Sequence, residues 1–189
     1  MAQRYRQRGL DPTARLLFAA TRGRGQTVLE IGGGVGELEL ELLRAGAERA
    51  TNVELTPVYD KEAEQLLEEA GLEGRAERRH GDLVNQPDLA EPADVVVMHR
   101  VVCCYPDMPA LVGAAAERTR RVLALSFPRD TWWMRFFARS FNMWRRLRRD
   151  EFRFFVHSPE GIVATAGARG LDVTREEAGR IWQIAALER

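Results

Sequence analysis

The sequence predicts an α/β fold: a mostly parallel seven-stranded sheet with helices on both faces and a terminal antiparallel hairpin. Three observations carry that expectation. From Thr27 onward, short apolar runs alternate with longer amphipathic ones, as repeated strand–helix units require. A glycine-rich turn, Gly32-Gly33-Gly34-Val35-Gly36, joins the first apolar run to the first amphipathic one. The last two apolar runs follow each other directly around Gly179, as in a hairpin.

Each element follows in order. Thr27–Ile31 reads as a compact buried strand. Residues 37–45 form a helix with Leu38, Leu42 and Ala45 on one face, ended by Gly46. Residues 50–55 are the second strand. Thr56 is placed as an N-cap with Pro57 in the first turn, opening a helix to Ala70 that Gly71 closes. Residues 75–79 make a third strand, polar enough to sit toward a sheet edge. Residues 94–99 are the fourth strand, Asp107 caps a helix through Thr119, and residues 121–127 are the fifth strand. A long amphipathic segment, 131–149, comes next. Ser158-Pro159 starts a helix that stops near Gly170, and residues 171–176 with 180–187 form the hairpin. Five strand–helix units and a hairpin suit seven strands better than the six of a dinucleotide fold. No internal repeat or linker divides the chain, so residues 1–189 are expected to form one domain. Residues 1–26 would be its N-terminal helical cover and 128–157 a lid-like insertion rich in aromatics and arginine.

A chain of 189 residues is long enough to bury a sizeable core. Acidic and basic residues balance at 28 each, so the whole chain carries no footprint for a polyanion. Lys61 is the only lysine, which reads first as a coding bias toward arginine. The two cysteines, Cys103 and Cys104, are adjacent and cannot easily reach relaxed disulfide geometry. Nothing offers four zinc ligands at useful spacing, so no metal is expected. The N-terminus lacks the apolar core of a signal peptide, and no run approaches the roughly 18 apolar residues of a membrane span. These features point to a cytoplasmic protein.

Glycine lets a turn between strand and helix approach a ligand closely, and the helix beyond offers free N–H groups. Spacing decides among the folds that use this device. A dinucleotide fingerprint starting at Gly32 would need glycine where Glu37 stands, a bulky anion where pyrophosphate should bind. No Gly-Lys-Ser/Thr follows, so a phosphate-binding ATPase loop fails too. Acidic-x-Gly-x-Gly-x-Gly does fit, as Glu30, Gly32, Gly34 and Gly36 with Gly33 between them.

That pattern resembles the first motif of class I, Rossmann-like S-adenosylmethionine-dependent methyltransferases. The resemblance implies that Glu30 helps hold the aminoacyl end of the cofactor, whose ammonium a carboxylate suits. It also implies that Glu54, ending the second strand beside Leu55, accepts the ribose hydroxyls. Asp82 or its neighbour Leu83 would contact the adenine amino group. Together these positions make a coherent site at the switch point of the sheet. Tyr5, Arg8-Gly9-Leu10-Asp11, Val28 to Gly36, Leu43-Arg44-Ala45-Gly46-Ala47, Val53-Glu54-Leu55 and Tyr105-Pro106-Asp107 are similar to magnesium-protoporphyrin O-methyltransferases over roughly the first 110 residues. Those enzymes methylate a propionate carboxylate and usually carry histidine before the Tyr-Pro pair. Cys104 stands there in this sequence, within the expected substrate pocket.

The acceptor is expected above the carboxyl ends of the strands, walled by residues 99–105 and 132–157. Methyl transfer from a sulfonium is an in-line displacement whose thioether leaving group needs no acid, so alignment and desolvation dominate. A carboxylate acceptor is already ionised at neutral pH, whereas a phenol or alcohol would benefit from a histidine base. His99, at the end of a central strand, is the leading candidate for a base or a polar cofactor contact, and equally a satisfied structural histidine. His157 is a second candidate base, with loop packing favoured for it. Tyr105 is a candidate donor to a substrate oxygen, Arg100 a candidate bidentate partner for a carboxylate, and Cys104, Trp132 and Trp133 candidate substrate contacts.

Residues 132–149 gather aromatics and methionines on one helical face and most of their arginines on another. A lid over a large apolar substrate, a helix packed on the sheet or on a second subunit of a homodimer, and a membrane-surface helix all fit. Lid or packing is favoured over membrane. Nucleic acid is disfavoured, because no Asn/Asp-Pro-Pro-Tyr/Phe follows the fourth strand. The resulting expectation is methyl transfer to a small apolar or aromatic acceptor, at oxygen. The alternatives are an RNA or protein methyltransferase and a non-catalytic binding subunit that keeps the cofactor fold.

Overall fold

In the computed structural model, which describes residues 2–189, the strands are β1 Thr27–Ile31, β2 Arg49–Glu54, β3 Ala76–His80, β4 Ala93–His99, β5 Thr119–Pro128, β6 Asp172–Ala178 and β7 Trp182–Glu188. They form one sheet in the order β3-β2-β1-β4-β5-β7-β6. Pairing is parallel from β3 through β5, and β7 runs antiparallel to both β5 and β6. The central strands are nearly continuous apolar runs because both faces are covered. Along β4, Val95 and Val97 face one core layer while Val96 and Met98 face the other.

The helices are α1 Ala2–Arg8, α2 Pro12–Thr21, α3 Glu37–Arg44, α4 Asp60–Ala70, α5 Met108–Glu117, α6 Trp132–Leu147 and α7 Pro159–Gly167. Leu17 of α2, Leu38 and Leu42 of α3 and Leu66 of α4 pack with Val28, Val95 and Ile184 on one face. On the opposite face, Leu111 and Val112 of α5 and Ile162 of α7 pack with Leu29, Val96, Leu123 and Leu187. The residues of α6 belong to neither layer, and only Met134 and Ala138 of that helix are buried.

Local chemistry explains most boundaries. Asp11 caps α2 by accepting the Thr13 and Ala14 N–H groups, Asp107 caps α5 through Ala110, and Ser158 caps α7 through Gly161. Gly71, at φ 66°, closes α4. One expected start is corrected. Thr56 makes no side-chain cap; a short 3₁₀ turn, Pro57–Tyr59, intervenes, and α4 begins at Asp60. The carboxylate of Asp60 is drawn outward to Arg78 and His80 of β3, which places the first turn of α4 against the sheet edge.

The order of strands puts β1 and β4 side by side, with the chain leaving them toward opposite faces. Their carboxyl ends therefore border a crevice. At the other end of the same pair, Asp94 accepts the Gln26 and Thr27 N–H groups, and its own N–H donates to Thr27 Oγ1. Leu29, at the middle of β1, is fully buried. Leu29→Ala is expected to cost about 2–5 kcal/mol of stability, read from the midpoint of urea unfolding.

Candidate active site

Two adjoining cavities lie above the carboxyl ends of β1, β2 and β4. One, of about 270 Å³, is bordered by Glu54, Leu55, Asp82, Leu83, Tyr105 and Phe152. The other, of about 330 Å³, is bordered by Glu30, Gly33, Gly34, Glu37, Asp11 and His99. Gly32, Glu54, Tyr59, Arg100 and Cys104 line both, so the two form one elongated trough.

The turn after β1 rests directly on what lies beneath it. A Cβ on Gly33 would come within 2.4 Å of Asn52 Nδ2 and 2.6 Å of Glu30 Cδ, and one on Gly32 within 2.5 Å of Val101 Cγ2. Gly32 and Gly36 also have φ of 64° and 76°, where an L side chain is strained. The spacing of glycines in the sequence is thus a steric requirement of the trough floor.

Beneath the turn lies a buried polar layer. Glu30 is 2% exposed and Glu39 is 1% exposed. Glu30 Oε2 accepts the Glu39 N–H at 2.9 Å. Among the described residues, neither Glu39 oxygen and neither polar atom of the Asn52 amide has a hydrogen-bond partner, and Arg78 Nη1 lies 4.0 Å from Glu39 Oε1. Burial drives the Glu30 carboxyl well above the usual range, and the neighbouring Glu39 adds to it. Burial likewise raises Glu39 to about 7 against the opposing pull of Arg78.

Glu54 is anchored within the trough: Oε2 accepts the Gly34 N–H and Oε1 the Leu55 N–H, each at 2.9 Å. Asp82 accepts the Val84 N–H at 2.9 Å, the Asn85 side chain at 2.7 Å and the Tyr105 hydroxyl at 2.9 Å. Burial and this bond to Asp82 push the Tyr105 phenol up to about 12, so it is a hydrogen-bond donor at neutral pH. Its hydroxyl is turned to Asp82 in this structure.

A second cluster fixes the other end of the trough. His99 Nδ1 lies 3.1 Å from Ser126 Oγ, and Nε2 lies 3.3 Å from Asp11 Oδ2. Ser126 Oγ also accepts the Arg100 N–H at 2.9 Å. A carboxylate only accepts, so in the neutral ring the proton sits on Nε2 toward Asp11 and Nδ1 accepts from the Ser126 hydroxyl. Arg100 Nη2 reaches Asp11 Oδ2 at 2.9 Å, and its guanidinium stacks over Trp182 at 4.9 Å. Burial works to raise Asp11, but His99, the Ala14 N–H and Arg100 hold its carboxyl well below the usual range. Arg100 adopts φ 60°, a left-handed conformation costing about 1–3 kcal/mol for a non-glycine residue. Its three partners hold it there.

The remaining expected positions are dispersed. Cys104 lines the trough, with its thiol lowered by a hydrogen bond from the buried Cys103. His157 lines neither cavity; its Nε2 lies 3.0 Å from the Tyr105 carbonyl and its ring stacks on Phe155. Trp132 is 81% exposed, and Trp133 borders a separate depression with Arg129, Arg180 and Ile181. The aromatic insertion reaches the trough through Phe152 instead. Asp11, Glu37, Tyr59 and Phe152 are wall residues that sequence reasoning did not single out as such. Asp11 had its helix-cap position as a signal, and Phe152 lies within residues 132–157, the stretch expected to wall the acceptor.

Acids placed at the ends of successive strands, around a glycine-rich turn, border one trough at the carboxyl edge of an α/β sheet. The profile of a family described as a methyltransferase domain matches residues 2–176, and the chain belongs to that family. Magnesium protoporphyrin IX methyltransferase from Synechocystis PCC 6803, solved with bound SAH, superposes with a TM-score of 0.74 at 22% identity, over 97% of this chain and 83% of that one. An O-methyltransferase family protein from Burkholderia thailandensis gives a TM-score of 0.78 at 18% identity, over 100% of this chain and 57% of that one. Geranyl diphosphate C-methyltransferase from Streptomyces coelicolor A3(2) gives 0.71 at 12% identity, over 93% and 78%. These likenesses establish the fold, the seven-stranded methyltransferase sheet. No curated protein matches the chain by sequence.

Glu39 generates a pH dependence. Between its ordinary value of 4.5 and about 7, the folded protein keeps a proton that the unfolded chain has released. Stability therefore falls as pH rises through that window. Glu39→Gln is expected to gain on the wild type by on the order of 2 kcal/mol between pH 5 and pH 8, measured by denaturant unfolding at both. An equal difference at the two pH values would refute the assignment.

Proposed function

We propose that this chain transfers a methyl group from S-adenosylmethionine to an oxygen of a small apolar acceptor that arrives already ionised, a carboxylate above all. The observation that carries the reading is the state of His99. Both ring nitrogens are engaged, by Ser126 and Asp11, and His99 is the only histidine bordering the trough among the described residues. Burial and the bond to Asp82 keep the Tyr105 phenol protonated. A site arranged in this way has no free imidazole base, and an oxyanion nucleophile needs none.

When bound, S-adenosylmethionine supplies an electrophilic methyl carbon and leaves as a neutral thioether. In this reading, Glu54 exchanges its bonds to the Gly34 and Leu55 N–H groups for the ribose hydroxyls, and Asp82 with Tyr105 borders the adenine. Glu37 and Glu30, on the wall of the second cavity, face the ammonium of the aminoacyl end. Arg100 and Arg4 place positive charge beside His99, where an acceptor carboxylate would be held in line. The pair of unbridged thiols, Cys103 and Cys104, suits a reducing, cytoplasmic setting. Among the described residues no helix is long and apolar enough to cross a membrane.

Two measurements test this. Calorimetry with S-adenosylhomocysteine should show Glu54→Ala binding at least about tenfold more weakly, as loss of hydrogen bonds to a charged group implies. Labelled methyl transfer should favour apolar carboxylic acids, giving alkali-labile esters, over phenols, amines and RNA. On the preferred acid, His99→Asn should reduce turnover by less than about tenfold, whereas loss of a general base costs about 10²–10⁴-fold. Preference for an amine or RNA acceptor would overturn the proposal.

A further inference from the structure

We infer that the exposed face of α6 docks on an anionic lipid bilayer. Trp132, Phe136, Met143 and Leu147 are 81, 67, 60 and 78% exposed. At about 100° per residue they share an arc of about 60° on the helix surface. Phe137, Trp133 and Trp144 extend that arc on one side. Arg135, Arg139 and Arg146 occupy the sector on its other side, and no acidic residue lies within the helix. A wide apolar face rimmed by arginine and ending in tryptophan matches a helix lying in a lipid interface.

Charge selects the occupant. Arg135 pairs with Asp130 and Arg145 with Asp150 at the two ends of α6. Among the described residues, Arg139, Arg146 and Arg149 form no ion pair. On the hairpin side, Arg129, Arg180, Trp133 and Ile181 line an open depression of about 590 Å³ that continues the basic and apolar surface. A second copy docked about a two-fold axis would bring the arginine sector against itself, with no acidic row opposite. Anionic headgroups supply the missing charge, and acyl chains the apolar contact.

The face is also rigidly presented. Asn142 pairs with both the N–H and the C=O of Phe154 at 2.8 Å, and Arg145 stacks over Phe141 and Phe152. Phe152 belongs to the trough wall, so the docking face and the candidate site share one structural unit. The inference does not depend on which acceptor the enzyme uses.

Co-sedimentation tests it with the full chain. Vesicles of phosphatidylcholine and phosphatidylserine, in roughly a two-to-one ratio, should pellet the protein, and phosphatidylcholine alone should not. Binding should drop at least about tenfold at 1 M salt, where the screening length is about 3 Å. The pairs Phe136→Ser with Leu147→Ser and Arg139→Glu with Arg146→Glu should each weaken it by about tenfold or more. Both should keep wild-type affinity for S-adenosylhomocysteine, which shows that they fold. Equal pelleting on both vesicle types would overturn the inference. So would failure to pellet on either, including the case of a dimer that the Phe136/Leu147 pair dissociates, or of RNA held by the arginines instead.

Discussion

Glycine at positions 32, 33 and 36 lets the turn after β1 lie against its neighbours at distances no Cβ could tolerate. Glu30 and Asn52 fill the space below Gly33, Glu39 that below Gly36, and Val101 presses on Gly32. The trough floor, the start of α3 and the anchoring of Glu54 through the Gly34 N–H all follow from that close approach. Its cost is the buried acidic layer, in which Glu30 and Glu39 have to sit near one another away from water. In the proposed function, the cationic tail of the cofactor would meet acids that burial raises toward their neutral form.

The opposite wall depends on a link between the N-terminus and the sheet. Asp11 caps α2 and simultaneously engages His99 and Arg100, so one carboxylate joins the helical cover to the end of β4. The strained backbone of Arg100 persists because Ser126, Asp11 and Trp182, from three different parts of the chain, hold it. In the proposed function, an acceptor carboxylate at this wall would compete with Asp11 for Arg100.

Much of this was legible in the sequence. Strand order apart, all seven strands and the helices after them follow from period and capping residues, and Glu30, Glu54 and Asp82 are brought to one trough as the methyltransferase resemblance implies. The misjudged start of α4 reflects competition. Thr56 and Pro57 form a sound local signal, yet Asp60 is claimed by Arg78 and His80 across the sheet edge. Amphipathicity also identified α6 as unusual, but placed Trp132 and Trp133 at the substrate, whereas neither lines the trough and Phe152 of the same insertion borders it.

The sequence by itself determined the class of fold and the chemistry of the turn, because strand period, helix caps and glycine spacing are local properties. Only the tertiary structure decided which side chains share a space. The engagement of both His99 nitrogens, the turning of Tyr105 toward Asp82 and the burial of Glu39 join residues 23 to 88 positions apart or depend on several layers at once. Such contacts are set by how strands are ordered and faces covered, which no local pattern encodes.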